Sequence, residues 1–260
     1  MEKLEFNNLD LNKLQELEGV LCSNKLYIDN EYLYKIFNLE IVDESQVDEI
    51  KRKISLFDSV NLDFLVTPEK SFYDGDTLKC VASKFIKNSE TINDLAIRKG
   101  VSYALDNIID ASKKLQKLHY CGKNIVVGDM HFDNIIVDDK NKVYFIDVEG
   151  YGIEDFKPTF IPNVTSGFYD WMNYRQKRDI NMDKVSFLLS LFGVVFEKNI
   201  MSIGEYAYDE KKWTINVFKR FKRSFWRPKI YISYSTWYAI FIWTITKEGE
   251  INWIKLMLMK

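Results

Sequence analysis

The chain has 260 residues, 47% of them apolar and 28% charged, with a formal net charge of −2. That length suits two units of unequal size with ample core material, and the near-neutral charge removes any global drive toward nucleic acid or membrane. Three widely spaced cysteines and two histidines argue against a disulfide framework and a histidine-based metal site.

The opening Met-Glu-Lys-Leu-Glu-Phe-Asn-Asn is acidic and lacks an apolar run, so a cytoplasmic setting is expected. Residues 11–17 read as helical or irregular. Residues 18–23, 25–28 and 31–37 read as three strands, with turns at Ser23-Asn24 and Asp29-Asn30. In the third, Lys35 is the only charge in Tyr-Leu-Tyr-Lys-Ile-Phe, so it either faces an exposed edge or aims at an anion. Val47, Ile50, Ile54 and Phe57 recur at helical spacing within 43–60, behind an acidic first turn. Two strands, 64–72 and 77–86, meet at Asp74-Gly75, a strong hairpin signal. Lys87-Asn88-Ser89 marks a boundary, after which 92–120 is mostly helical, with Ile108, Leu115 and Leu118 on one face and Gly122 as its stop. His119 reads as a helix-end or packing residue.

The stretch 125–150 carries the chemistry. Two short apolar strands, Ile135–Val137 and 143–146, flank a polar turn at 138–142; Asp129 and Asn134 precede the first strand and Asp147 ends the second. A turn or cap explains each of these residues alone. A hairpin brings all three together, and phosphoryl transfer asks little of a protein beyond positioning, Mg²⁺ and a carboxylate that orients the attacking hydroxyl.

In its Asp-x-x-x-x-Asn spacing and the following Asp, this segment resembles the catalytic and metal-binding loops of the protein-kinase-like superfamily. The resemblance implies an α+β, two-lobed fold: a small antiparallel sheet plus one helix over residues 1–87, then a mainly helical lobe over 88–260. It implies ATP and Mg²⁺ as cofactors. Asp129 is then the catalytic base, Asn134 and Asp147 the metal ligands, and Lys35 the phosphate-holding lysine. Glu49 is its expected helix partner, with Glu44 as second choice. The Gly-rich turn of that family is absent: Gly19 stands alone, and the backbone amides of Ser23 and Asn24, with Lys25, are the expected substitute. Adenine is expected against the backbone near 85–87.

Val127-Gly128 stands where protein kinases carry His-Arg, so no phosphate-reading switch is expected. His131 makes the loop Gly-Asp-x-His-x-x-Asn, which is closer to the aminoglycoside phosphotransferase and choline kinase branch, as is Asp-Val-Glu at 147–149. Residues 151–170 are irregular, and their Thr-Ser-Gly-Phe-Tyr is loosely similar to a segment that docks protein substrates. The apolar helix over 179–196 contains Asp183, which resembles the Asp that braces the catalytic loop; an N-cap role also explains it. Basic and aromatic residues interleave over 211–229, as a helix with one core face or as a weak anionic-surface binder. The uncharged run 230–246 is read as core, so no transmembrane segment is expected.

The implied function is phosphoryl transfer to a hydroxyl, with a protein Ser/Thr favoured over a small-molecule alcohol. A non-catalytic binding protein of the same fold is the alternative, motivated by the absent Gly-rich turn.

Overall fold

A computed structural model describes residues 1–17, 24–38, 44–159 and 180–195. The chain is α+β. Its larger sheet holds six strands: β1 (Glu2–Glu5), β2 (Gln15–Glu16), β3 (Lys25–Ile28), β4 (Tyr32–Ile36), β5 (Pro68–Asp74) and β6 (Thr77–Lys84), ordered β1-β5-β6-β4-β3-β2. The expected sheet is wholly antiparallel; in the structure β1 runs parallel to β5, with Glu2 opposite Lys70 and Glu5 opposite Tyr73. The sequence expectations at 18–23, 160–170, 211–229 and 230–246, and those at Gly19 and Ser23, lie outside the described residues.

Local chemistry sets the two main turns of this sheet. Asp29 Oδ1 accepts from the amides of Glu31 and Tyr32 at 2.7 and 2.6 Å, closing β3 onto β4. Gly75, at φ +59°, turns β5 into β6 in a conformation that costs a side-chain-bearing residue free energy. A register shift between Phe72 opposite Cys80 and Tyr73 opposite Leu78 interrupts the alternation of side chains, so β6 presents Leu78 and Val81 to one face and Cys80 and Ala82 to the other. The helix α1 (Glu44–Phe57) covers the first face with Val47, Ile50 and Ile54, against Phe37 and Tyr73. Leu4, Phe6, Leu9 and Leu14 cover the second face, against Tyr34 and Phe72.

A second core forms around α2 (Ile92–Lys99), α3 (Val101–His119) and α4 (Ile180–Val195). The expected single helical stretch over 92–120 is two helices, because Gly100 at φ +90° breaks the run. The second sheet joins β7 (Glu90–Thr91), β8 (Ile135–Val137) and β9 (Val143–Phe145), with Ile135 opposite Phe145. Residues 64–66, expected as the start of a strand, instead tie the two sheets: Phe145 N donates to Phe64 O and Val66 N to Phe145 O, at 2.8 and 2.9 Å. Among the described residues, no helix is long and apolar enough to cross a membrane.

Candidate active site

The loop between α3 and β8 is held from beneath by Asp183. Its carboxylate, buried in the first turn of α4, accepts from Val127 N at 2.7 Å and Gly128 N at 2.8 Å, while His119 Nε2 lies 2.9 Å away. Asp183 thus braces the loop backbone, and His119 is a buried partner of that brace. Two backbone donors on one carboxylate fix the loop more firmly than solvent-exposed hydrogen bonds do, since the alternative is a buried charge without partners.

From this base the loop turns sharply, with Gly128 at φ +77° and Asp129 N donating to Val127 O at 2.9 Å. Asn134 Nδ2 donates to Asp129 O at 3.0 Å and reaches Asp129 Oδ2 at 3.4 Å. With its amide nitrogen turned to Asp129, Asn134 is left with its amide oxygen as the donor for a cation. His131 sits between two carboxylates, Nε2 at 3.4 Å from Asp129 Oδ1 and Nδ1 at 3.5 Å from Asp133 Oδ2. Burial draws the imidazole pKa down, but hydrogen bonds to Asp129 and Asp133 outweigh it and push it up to about 9. An imidazolium therefore stands beside Asp129 at neutral pH.

The β8–β9 hairpin does what its sequence implies. Asp138 Oδ1 accepts from Lys140 N and Lys142 N at 2.9 and 2.8 Å, shaping the turn. At the hairpin's open end Ile146 N donates to Asn134 O at 3.2 Å, which sets Asp147 beside the loop. Tyr151 Oη donates to Ile146 O at 3.0 Å and fixes the same backbone. Asp147 is left-handed, at φ +59° and ψ +33°, a conformation that costs a non-glycine residue about 1 kcal/mol or more.

Lys35 reaches this point from β4, on the face that α1 covers. Its Nζ donates to Asp147 Oδ1 at 2.8 Å and to Glu149 Oε1. Burial works against the ammonium, yet Asp147 and Glu149 more than offset it and hold the lysine pKa well above its ordinary value. Conversely, burial raises the Asp147 pKa, and Lys35 brings it below the usual carboxylate range. The structure therefore gathers four sequence-predicted residues: Lys35, Asp129, Asn134 and Asp147.

One expectation about the rest of the set changes. Glu49 is not the partner of Lys35: it turns toward the solvent edge of α1, 44% exposed, and pairs with Lys53 Nζ at 3.4 Å. The Glu44 side chain lies outside the described residues. Asn24 is described, and its Oδ1 accepts from Asn38 N at 3.4 Å. Sequence reasoning passes over Glu149, the buried second partner of Lys35, and Lys53. Lys53 is fully buried on α1, donating to Thr159 Oγ1 and to Lys157 O at 3.4 Å. A signal for Lys53 exists: it stands three residues after Ile50 and four before Phe57, on the apolar stripe.

The oxygen donors suit a hard cation. Among the described residues, no group of three or more His, Cys, Asp or Glu is arranged to hold a metal. Mg²⁺ does not need one, since it is held by one or two protein oxygens together with substrate phosphates. Neither a protein-family model nor a curated protein sequence matches the chain.

Proposed function

We propose that the chain is an ATP- and Mg²⁺-dependent phosphotransferase with a two-lobed protein-kinase-like fold, its small lobe over 1–87 and its large lobe over 88–260. The observation that carries this reading is the meeting of Lys35 with Asp147, 2.8 Å apart, beside a loop in which Asn134 is hydrogen-bonded to Asp129. An ammonium, two carboxylates and an amide oxygen converge, which is the equipment phosphoryl transfer requires.

In this scheme Lys35 holds the phosphates of ATP, while Asn134 and Asp147 hold Mg²⁺, which neutralises phosphate charge when bound. Asp129 orients the acceptor hydroxyl, and His131 fixes the Asp129 carboxylate. The acceptor oxygen forms a bond to the γ-phosphorus as the bond to the β,γ-bridging oxygen breaks. ADP leaves with that electron pair, and the hydroxyl proton passes to Asp129. The acceptor is taken as a protein Ser or Thr. A small-molecule alcohol, of the aminoglycoside or choline type, is the second reading, favoured by His131 at its place in Gly-Asp-x-His-x-x-Asn.

The test is transfer of labelled γ-phosphate from ATP with Mg²⁺. The protein itself, a generic basic protein and a pool of small alcohols and aminoglycosides are offered as acceptors, beside an Asp147→Ala control. Label on protein that vanishes in the control supports the first reading, and label on a small molecule the second. No label in any arm, with ATP still raising the melting temperature, overturns catalysis in favour of nucleotide binding alone.

A further inference from the structure

Lys35 has two carboxylate partners, and they are not equivalent. About half of the Asp147 side chain is exposed (49%), whereas the Glu149 side chain is 9% exposed. Glu149 sits on a short 3-10 turn, Val148–Gly150, that packs against α1. That turn is closed by Gly150 N donating to Asp147 O and Tyr151 N to Val148 O, both at 3.0 Å. A cation held at Asp147 would compete with Lys35 for that carboxylate, and Glu149 would then be the lysine's remaining anchor.

The helix beside this pair presents a positive charge. On α1, Asp48 is exposed and Glu49 is half exposed, while Lys53 occupies the buried stripe. Burial pulls the Lys53 pKa below its ordinary value, against the charges of Glu49 and Glu149. Lys53 donates to Thr159 Oγ1, and Thr159 N donates to Gly150 O at 2.8 Å, so this lysine is linked through Thr159 to the turn that carries Glu149.

We propose that Glu149 is the positioning residue of Lys35, in place of a carboxylate on α1. The proposal rests on the phosphotransferase reading. Glu149 acts through Lys35, and would hold its ammonium toward the ATP phosphates when Asp147 is engaged with Mg²⁺.

The experiment uses the full chain as wild type, Glu149→Gln, Glu149→Asp and Glu49→Gln. ATP·Mg²⁺ affinity is measured by titration calorimetry, KM and kcat by γ-phosphate transfer, and the melting temperature without nucleotide serves as the fold control. Glu149→Gln is expected to weaken ATP·Mg²⁺ binding and raise KM for ATP about tenfold, the size of one charge-assisted hydrogen bond. Glu149→Asp, which keeps the charge but withdraws it by one methylene, is expected to give a smaller rise, and Glu49→Gln wild-type values. If Glu149→Gln fails to fold, an unchanged KM in Glu149→Asp overturns the proposal. So does loss at Glu49→Gln with both Glu149 variants unaffected, or a Glu149→Gln defect that excess Mg²⁺ erases, which would put Glu149 on the metal. A wild type that binds no ATP·Mg²⁺ overturns the phosphotransferase reading and this inference together, whereas wild-type binding with unaltered Glu149 variants overturns the inference alone.

Discussion

Lys35 and Asp147 are 112 positions apart in the chain and 2.8 Å apart through Nζ and Oδ1. The contact ties the strand β4 to the end of the β8–β9 hairpin, so one ammonium links the six-stranded sheet to the candidate catalytic loop. Removing it leaves Glu149 buried without this partner, and a buried ion that loses its partner costs about 3 kcal/mol. Lys35→Met is therefore expected to lower the unfolding free energy, measured by urea denaturation at pH 7, by that amount. A Lys35→Met protein within about 0.5 kcal/mol of wild type would show that the ammonium does not hold the buried Glu149 carboxylate in place.

Asp183 carries a comparable load on the other side of the loop. It accepts from two backbone amides and faces His119, all out of contact with water. Asp183→Ala strands those amides and is expected to cost about 3 kcal/mol, measured by urea unfolding. Asp183→Asn keeps the shape and one acceptor, so it should lose less. If Asp183 only capped α4, the two variants would differ little from each other and cost about 1 kcal/mol.

What is legible in the sequence follows how local each relationship is. Asp129, Asn134 and Asp147 are readable because they ride on one hairpin, whose apolar runs and Asp138 turn fix its register within a few residues. Asp183 is readable from its place at the start of an apolar helix. The pairing of Lys35 with Glu149 spans 114 positions and depends on how the 148–150 turn packs on α1, which no periodicity carries. The parallel pairing of β1 is hidden for the same reason, since Glu-Lys-Leu-Glu has no strand character until β5 offers its edge. Lys53 is a missed signal of a different kind: a charge on an apolar stripe is visible in the sequence, and its burial is what α1 packing adds.

His131 gives the site a pH signature. Its pKa is raised from the ordinary 6.5 to about 9, because hydrogen bonds to Asp129 and Asp133 outweigh the burial that draws it down. A raised folded-state pKa contributes stability that is fully present below about 6.5 and is lost as pH rises through about 9. Unfolding free energies measured by urea between about pH 6 and 10 should therefore fall more steeply in the wild type than in His131→Gln. Parallel curves would mean that the imidazole titrates alike in the folded and unfolded chains.

Gly152 lies where the loop's lead-in and the chain after Asp147 are joined. Gly152 N donates to Val126 O at 2.7 Å and Val126 N to Gly152 O at 3.0 Å, one residue before the amides that Asp183 holds. A Cβ at this glycine would lie 2.7 Å from Pro158 Cδ and 2.8 Å from both Phe156 O and Pro158 N. Two of those three atoms are backbone, and the Ile153–Phe156 turn is pinned by its own reciprocal hydrogen bonds at 3.0 Å, so no side-chain rotation relieves the contact. Gly152→Ala is expected to cost about 1–3 kcal/mol, as overpacking does, and, on the proposed phosphotransferase reading, to reduce transfer by shifting Val126 and the loop behind it. Gly150→Ala is the matched control: a Cβ there meets nothing within 4 Å, so its melting temperature should stay within about 0.5 kcal/mol equivalent of wild type. A Gly152→Ala protein as stable as Gly150→Ala would mean that the Val126–Gly152 junction yields easily and does not set the loop's position.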